Sequence, residues 1–120
     1  MEKLHDFNEQ QIQLLFGDNI DLMEQVLEIL QEDLPSHLKN LDKAIEFRDG
    51  NRVYEIAHTL KGSMASVGAD KGSSLAKHIQ REAEENQFET CRTLFVSLNE
   101  TTGQFLREFS GSIKTKKEHV

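Results

Sequence analysis

Apolar residues recur along most of this chain at helical spacing, and nowhere do they alternate with the period of two that a half-buried strand would show. From Ile20 onward, Met23, Leu27, Leu30, Leu34, Leu38, Leu41 and Ile45 follow at steps of three and four, which places them on one helical face. The stripe keeps its phase across Pro35, so one long helix, kinked near the proline, is predicted over 20–48; a break there with Ser36 as a new N-cap is the alternative. Asp49-Gly50-Asn51 is expected to end it, since these residues tolerate the left-handed conformation of a helix terminus. Val53, Ile56, Ala57, Leu60, Met64 and Val67 predict a helix over 52–67, followed by a turn at Gly68-Ala69-Asp70. Leu75, Ile79 and Ala83 mark another over 71–86, and Leu94, Phe95, Leu98, Phe105, Phe109 and Ile113 a last one over 89–112, its stripe weakened at Thr101-Thr102-Gly103. A short helix over 8–16, with Ile12, Leu15 and Phe16 inward, precedes them all, set apart by Gly17-Asp18-Asn19. Four long amphipathic helices with short connections predict an all-α fold, an antiparallel up-and-down four-helix bundle with the short N-terminal helix as a cap. One domain is expected over 1–120, with its core over 8–113 and a fraying tail over 114–120.

Length supports that picture, because 120 residues suffice for one core and are too few for two ordinary enzyme domains. Twenty-one acidic residues against 14 basic ones give a net charge of −7, which argues against a general electrostatic grip on nucleic acid or anionic lipid. No apolar run has the length of a membrane span, and Met1-Glu2-Lys3-Leu4-His5-Asp6 does not lead into a signal peptide, so a cytoplasmic protein is expected. Cys91 is the single cysteine, which excludes an intramolecular disulfide and a thiolate-rich zinc site. No apolar stripe is left unclaimed by the bundle, so a monomer is expected. Glycine-rich phosphate loops, HExxH, EF-hand spacing and the nucleophile elbow are all missing.

Five histidines remain as candidate chemistry, and no two of them lie at i,i+3 or i,i+4 as a helical metal site would require. His5 and His119 stand near the termini, His37 at the edge of an apolar stripe, and His78 on the flank of its helix; each is expected to be structural or solvated. His58 differs, because helical phase puts it away from the apolar face of its own helix. Its neighbours there are small, Gly62 at i+4 and Ala65 at i+7, with Lys61 at i+3 to one side. A glycine inside a helix costs about 1 kcal/mol relative to alanine, so a smooth surface open to another protein's backbone is the expected reason for it. An exposed imidazole is a nucleophile at neutral pH, and a cation one turn away complements phosphoryl oxygens; capture and donation of a phosphoryl group fit both. Counting outward from the turn at Ala69, Gln80 falls level with His58 on the next helix, where it is either a hydrogen-bond partner of the ring or an exposed glutamine.

Ala57-His58-Thr59-Leu60-Lys61-Gly62-Ser63, followed by Gly68-Ala69 and preceded by the Asp49-Gly50-Asn51 break, resembles the signature of the histidine-containing phosphotransfer (HPt) domains of multistep two-component phosphorelays. The resemblance extends over the helix lengths of 8–113. It implies that His58 is phosphorylated, that Lys61 stabilises the phosphoryl group, that Gln80 is the polar neighbour on the following helix, and that Gly62, Ala65 and Ser66 belong to the docking face. It implies as partners the receiver domain of a hybrid sensor kinase and that of a response regulator, with Mg²⁺ on the receiver and no cofactor in this chain. Two positions depart from the family pattern: Met64 stands where many members carry a second serine, and Gly72 where they carry leucine, which is expected to loosen the start of that helix. With no kinase ATP-binding segment and no receiver domain in the sequence, a phosphohistidine carrier is expected rather than an autonomous enzyme. Met1 and the short leader favour a free-standing protein over an excised piece of a hybrid kinase. The alternative is a non-catalytic helical adaptor or pseudo-HPt that binds a receiver without chemistry, although such a protein would be expected to have lost the histidine.

Overall fold

The computed structural model describes residues 7–119, in which every regular element is an α-helix. α1 spans Glu9–Phe16, α2 Ile20–Glu46, α3 Gly50–Ser66, α4 Asp70–Glu84 and α5 Phe88–Glu118. Each start has a local cause. The Asn8 side chain accepts from the backbone N–H of Gln10 and Gln11, Asn19 does the same for Leu22, and Asp49 for Arg52, which satisfies donors that a first turn otherwise leaves unpaired. α2 is continuous through Pro35, with Met23, Leu27, Leu30, Leu34, Leu38, Leu41 and Ile45 all buried. α3 contributes Val53, Ile56, Ala57, Leu60 and Met64 to the same core, and α5 contributes Leu98, Phe105, Phe109 and Ile113. The four long helices surround this core, α2 packing on α3 and α5, and α4 likewise on α3 and α5.

Several local expectations are corrected. The residue that closes α2 in the left-handed conformation is Arg48, at φ 55°, and not the Asp49-Gly50-Asn51 triplet. Asp49 is needed as the N-cap of α3, so the chain must reverse one residue earlier, and Gly50 is already helical. A Cβ on Gly50 would lie 3.4 Å from the Ala83 carbonyl oxygen, so the start of α3 rests against the end of α4. Leu15 is 42% exposed, because the eight-residue α1 reaches the core through Ile12 and Phe16 only. Phe7, ahead of α1, adds to that anchorage: its ring is 5.9 Å from Phe105 and 6.2 Å from Phe109, while Phe16 is 5.6 Å from Phe109, all within the range of attractive aromatic pairs. α5 continues past Ser112 to Glu118, so the segment expected to fray is helical to that residue. Lys116 donates to the Gln13 side chain and Lys117 to Glu24, tying the end of α5 to α1 and α2. Thr101 and Thr102, the weak place in its stripe, are buried, and the Thr102 hydroxyl donates to the Leu98 carbonyl at 2.7 Å, which removes the cost of burying a bare hydroxyl.

The turn between α3 and α4 depends on Gly68, as the sequence suggests. Its φ is +76°, and a Cβ there would fall 2.5 Å from Gln11 Cγ. Gly62, by contrast, has nothing within 4 Å of its Cβ position. In urea unfolding, Gly68→Ala is expected to lower stability by about 1–2 kcal/mol through the left-handed backbone alone, while Gly62→Ala is expected to raise it by about 1 kcal/mol through helix propensity.

Candidate functional site

His58 lies on α3 with its side chain exposed, on the flank turned toward α4. The reason is phase: Ala57 and Leu60 beside it point fully into the core, so the position between them is carried outward. Across the interface Gln80 is 5% exposed, and its Nε2 stands 3.3 Å from His58 Nδ1. A buried amide needs a partner, and the imidazole is the one it meets. The two alternatives for Gln80 are thereby resolved in favour of the contact with the ring.

The amide orientation decides the ring's chemistry. With Nε2 of Gln80 donating, Nδ1 is the acceptor and the imidazole proton resides on Nε2. Turned by 180° about its last bond, the amide presents Oε1, accepts a hydrogen bond from the Nδ1–H, and leaves a lone pair on the outer ring nitrogen. Either way Nδ1 is engaged with α4 and Nε2 is the nitrogen free to meet a partner.

Around the ring the remaining candidates are arranged as follows. Lys61 is half-buried one turn along α3 and takes part in no ion pair among the described residues. Its backbone carbonyl accepts a hydrogen bond from Ser73 of α4 at 3.0 Å, a second tie between the two helices beside the site. Gly62, Ala65 and Ser66 are exposed, and the Ser66 hydroxyl is turned back to the Ser63 carbonyl at 2.7 Å. The strip of surface that runs from His58 through Gly62 to Ala65 is therefore low. The open space over Gly62 shows that no helix of this chain requires a glycine there.

Two features were not singled out by sequence reasoning. Tyr54, four residues before His58, stacks its ring parallel to the imidazole, with centroids 6.5 Å apart and planes 2° from coplanar; an aromatic at i−4 on the same face was the available signal. Where α3 meets α1 and α2, a groove of about 380 Å³ opens between Leu15, Phe16, Val26 and Ile29 on one wall and Ser63 and Ser66 on the other. Ile29 is 57% exposed at its rim. Its composition was visible, but which helices would frame it was not.

The other histidines are placed elsewhere. His78 is exposed with Nε2 3.5 Å from the Glu82 carboxylate, His37 is half-buried on α2, and His119 Nδ1 is 2.9 Å from the Thr115 carbonyl oxygen; His5 lies outside the described residues. Among the described residues no group of three or more His, Cys, Asp or Glu could hold a metal ion, and no helix is long and apolar enough to cross a membrane. Cys91 is buried with Sγ 3.8 Å from the Ile79 carbonyl oxygen; burial pushes its thiol pKa up and the Glu82 charge adds to this, which keeps the sulfur unreactive. Met64 is 2% exposed, so at this position the departure from the family signature is a matter of packing.

The family model described as Hpt domain matches residues 25–108, a span that contains His58, Lys61, Gly62 and Gln80. No curated protein and no solved structure matches the chain.

Proposed function

The chain belongs to the Hpt domain family, and on that premise we propose that it is a phosphorelay intermediate whose His58 takes a phosphoryl group from a receiver-domain aspartate and passes it to the aspartate of a second receiver. The observation that carries this reading is the pairing of an exposed His58 with Gln80, which engages Nδ1 and leaves Nε2 outward. In the forward step the Nε2 lone pair attacks phosphorus, the bond between phosphorus and the aspartyl oxygen breaks, and its electron pair returns to the carboxylate. This step uses the amide orientation that turns Gln80 Oε1 toward the ring, in which the Nδ1 proton stays in place and is donated in a hydrogen bond to that oxygen. The second receiver reverses these events. Since no bond energy is lost to water, the group remains transferable, and the chain acts as a phosphohistidine carrier rather than a kinase.

Lys61 supplies a positive charge to the phosphoryl oxygens, and Mg²⁺ comes with the receiver. Gly62, Ala65 and Ser66 let the receiver's backbone approach His58 closely. The groove beside Ser63 and Ser66 continues that face, and its apolar rim of Leu15 and Ile29 suits an apolar helix surface on the receiver. The scaffold in this reading is the antiparallel up-and-down bundle with α1 across one end, which gives the nucleophile a rigid base.

Incubation with a phosphorylated receiver and Mg²⁺ tests the reading. The chain is expected to acquire an acid-labile, base-stable phosphoryl group and to lose it on addition of a second, unphosphorylated receiver. Failure to take label from every receiver domain of the source genome would overturn it.

A further inference from the structure

An imidazole on an exposed helix surface is ordinarily free to change rotamer. Side chains on a helix lean toward its N-terminus, so His58 leans over the preceding turn, where Tyr54 stands. The Tyr54 ring is parallel to the imidazole within 2° at 6.5 Å between centroids, an offset arrangement within the attractive range of ring pairs. Gln80 restrains the imidazole from a second direction, through Nδ1. One hydrogen bond fixes one ring atom but leaves the ring free to tilt about it; a parallel neighbour restricts the tilt. Tyr54 is itself 39% exposed and stands outside the buried core, so core packing does not account for the stack.

We propose that Tyr54 is a positioning residue for His58, holding the imidazole together with Gln80 in the one rotamer that turns Nε2 outward. This rests on His58 being the residue that carries the phosphoryl group. The size of the effect follows from the states released. Two staggered wells at χ1, the third being closed by the preceding helical turn, and two broad ones at χ2 are open to a free imidazole; of these one combination is competent, and partial restraint by Gln80 leaves a loss of about two- to fourfold in the competent fraction.

Tyr54→Ala and Tyr54→Phe in the full chain test this with two independent readouts. In single-turnover transfer from a phosphorylated receiver, Tyr54→Ala is expected to lower the rate at saturating receiver about two- to fourfold, leave the half-saturating receiver concentration unchanged, and be rescued by Tyr54→Phe. In NMR spectra without any receiver, the three-bond couplings that report His58 χ1 are expected to move from single-rotamer values in the wild type to averaged values in Tyr54→Ala. Unchanged couplings overturn the proposal, as does a change confined to the half-saturating concentration, which would make Tyr54 a docking contact. If the wild type takes no label at all, it is the role of His58 that fails, and the couplings still decide whether Tyr54 holds the ring.

Discussion

His58→Gln is expected to leave the chain folded and to abolish its labelling by a phosphorylated receiver. Glutamine matches the polarity and approximate length of histidine, and position 58 is exposed, so no core volume is removed. Gln80, which loses its imidazole partner, still meets an amide able to accept or donate. Chemically the loss is complete: the amide lone pair is delocalised into its carbonyl, and no nucleophilic nitrogen remains at this position. The readout is the acid-labile, base-stable phosphoprotein, with thermal unfolding as a check on the fold. Label retained by the variant would move the acceptor to another histidine, for which His78, His37 and His119 are the described choices.

Gly62→Gln is expected to slow transfer at least tenfold, or about 1.4 kcal/mol, at a fixed sub-saturating receiver concentration. The substitution separates docking from stability because of what surrounds the residue. A Cβ there meets nothing within 4 Å, and glutamine is the better helix former by most of 1 kcal/mol, so the variant should unfold at an equal or higher temperature. Its side chain, however, rises one turn from His58 on the surface proposed to meet a receiver. Gly62→Ala, with a single added carbon, should fall between the two. Equal transfer kinetics in all three proteins would show that the partner does not approach α3 closely at this position.

How far the sequence could be read depends on the kind of residue. The stripes of α2 and α3 are legible because large aliphatic side chains at helical spacing have one sensible place to go; the phase of Leu30, Leu34 and Leu38 correctly outweighs the warning given by Pro35. α4 is harder. Its buried face is Gly72, Ala76, Ile79, Gln80 and Ala83, and small residues do not announce burial, since alanine suits either side of a helix. That Gln80 is level with His58 follows from equal counts to the turn, but its burial follows from how closely this smooth face approaches α3. Local backbone geometry is least legible. Arg48 takes the left-handed conformation although Gly50 is two residues away, because Asp49 is committed as the cap of the next helix. His58, Lys61 and Gly62 stand out in the sequence because a glycine inside a helix is costly and because the three together match the family signature.

Pro35 carries a consequence for cooperativity. A proline inside a helix costs about 3 kcal/mol, through a missing N–H and a clash with the carbonyl four residues earlier. Helix α2 nevertheless spans it without interruption, with Leu30 and Leu34 on one side and Leu38 and Leu41 on the other all buried against α3 and α5. The continuity of α2 is therefore a property of the assembled bundle and not of the segment. Its two halves are held by partners distant in sequence, so releasing one half from the bundle also relieves the cost at the proline and leaves the other half packed. The residue that most weakens α2 as an isolated helix thus marks the place where the bundle can open part-way.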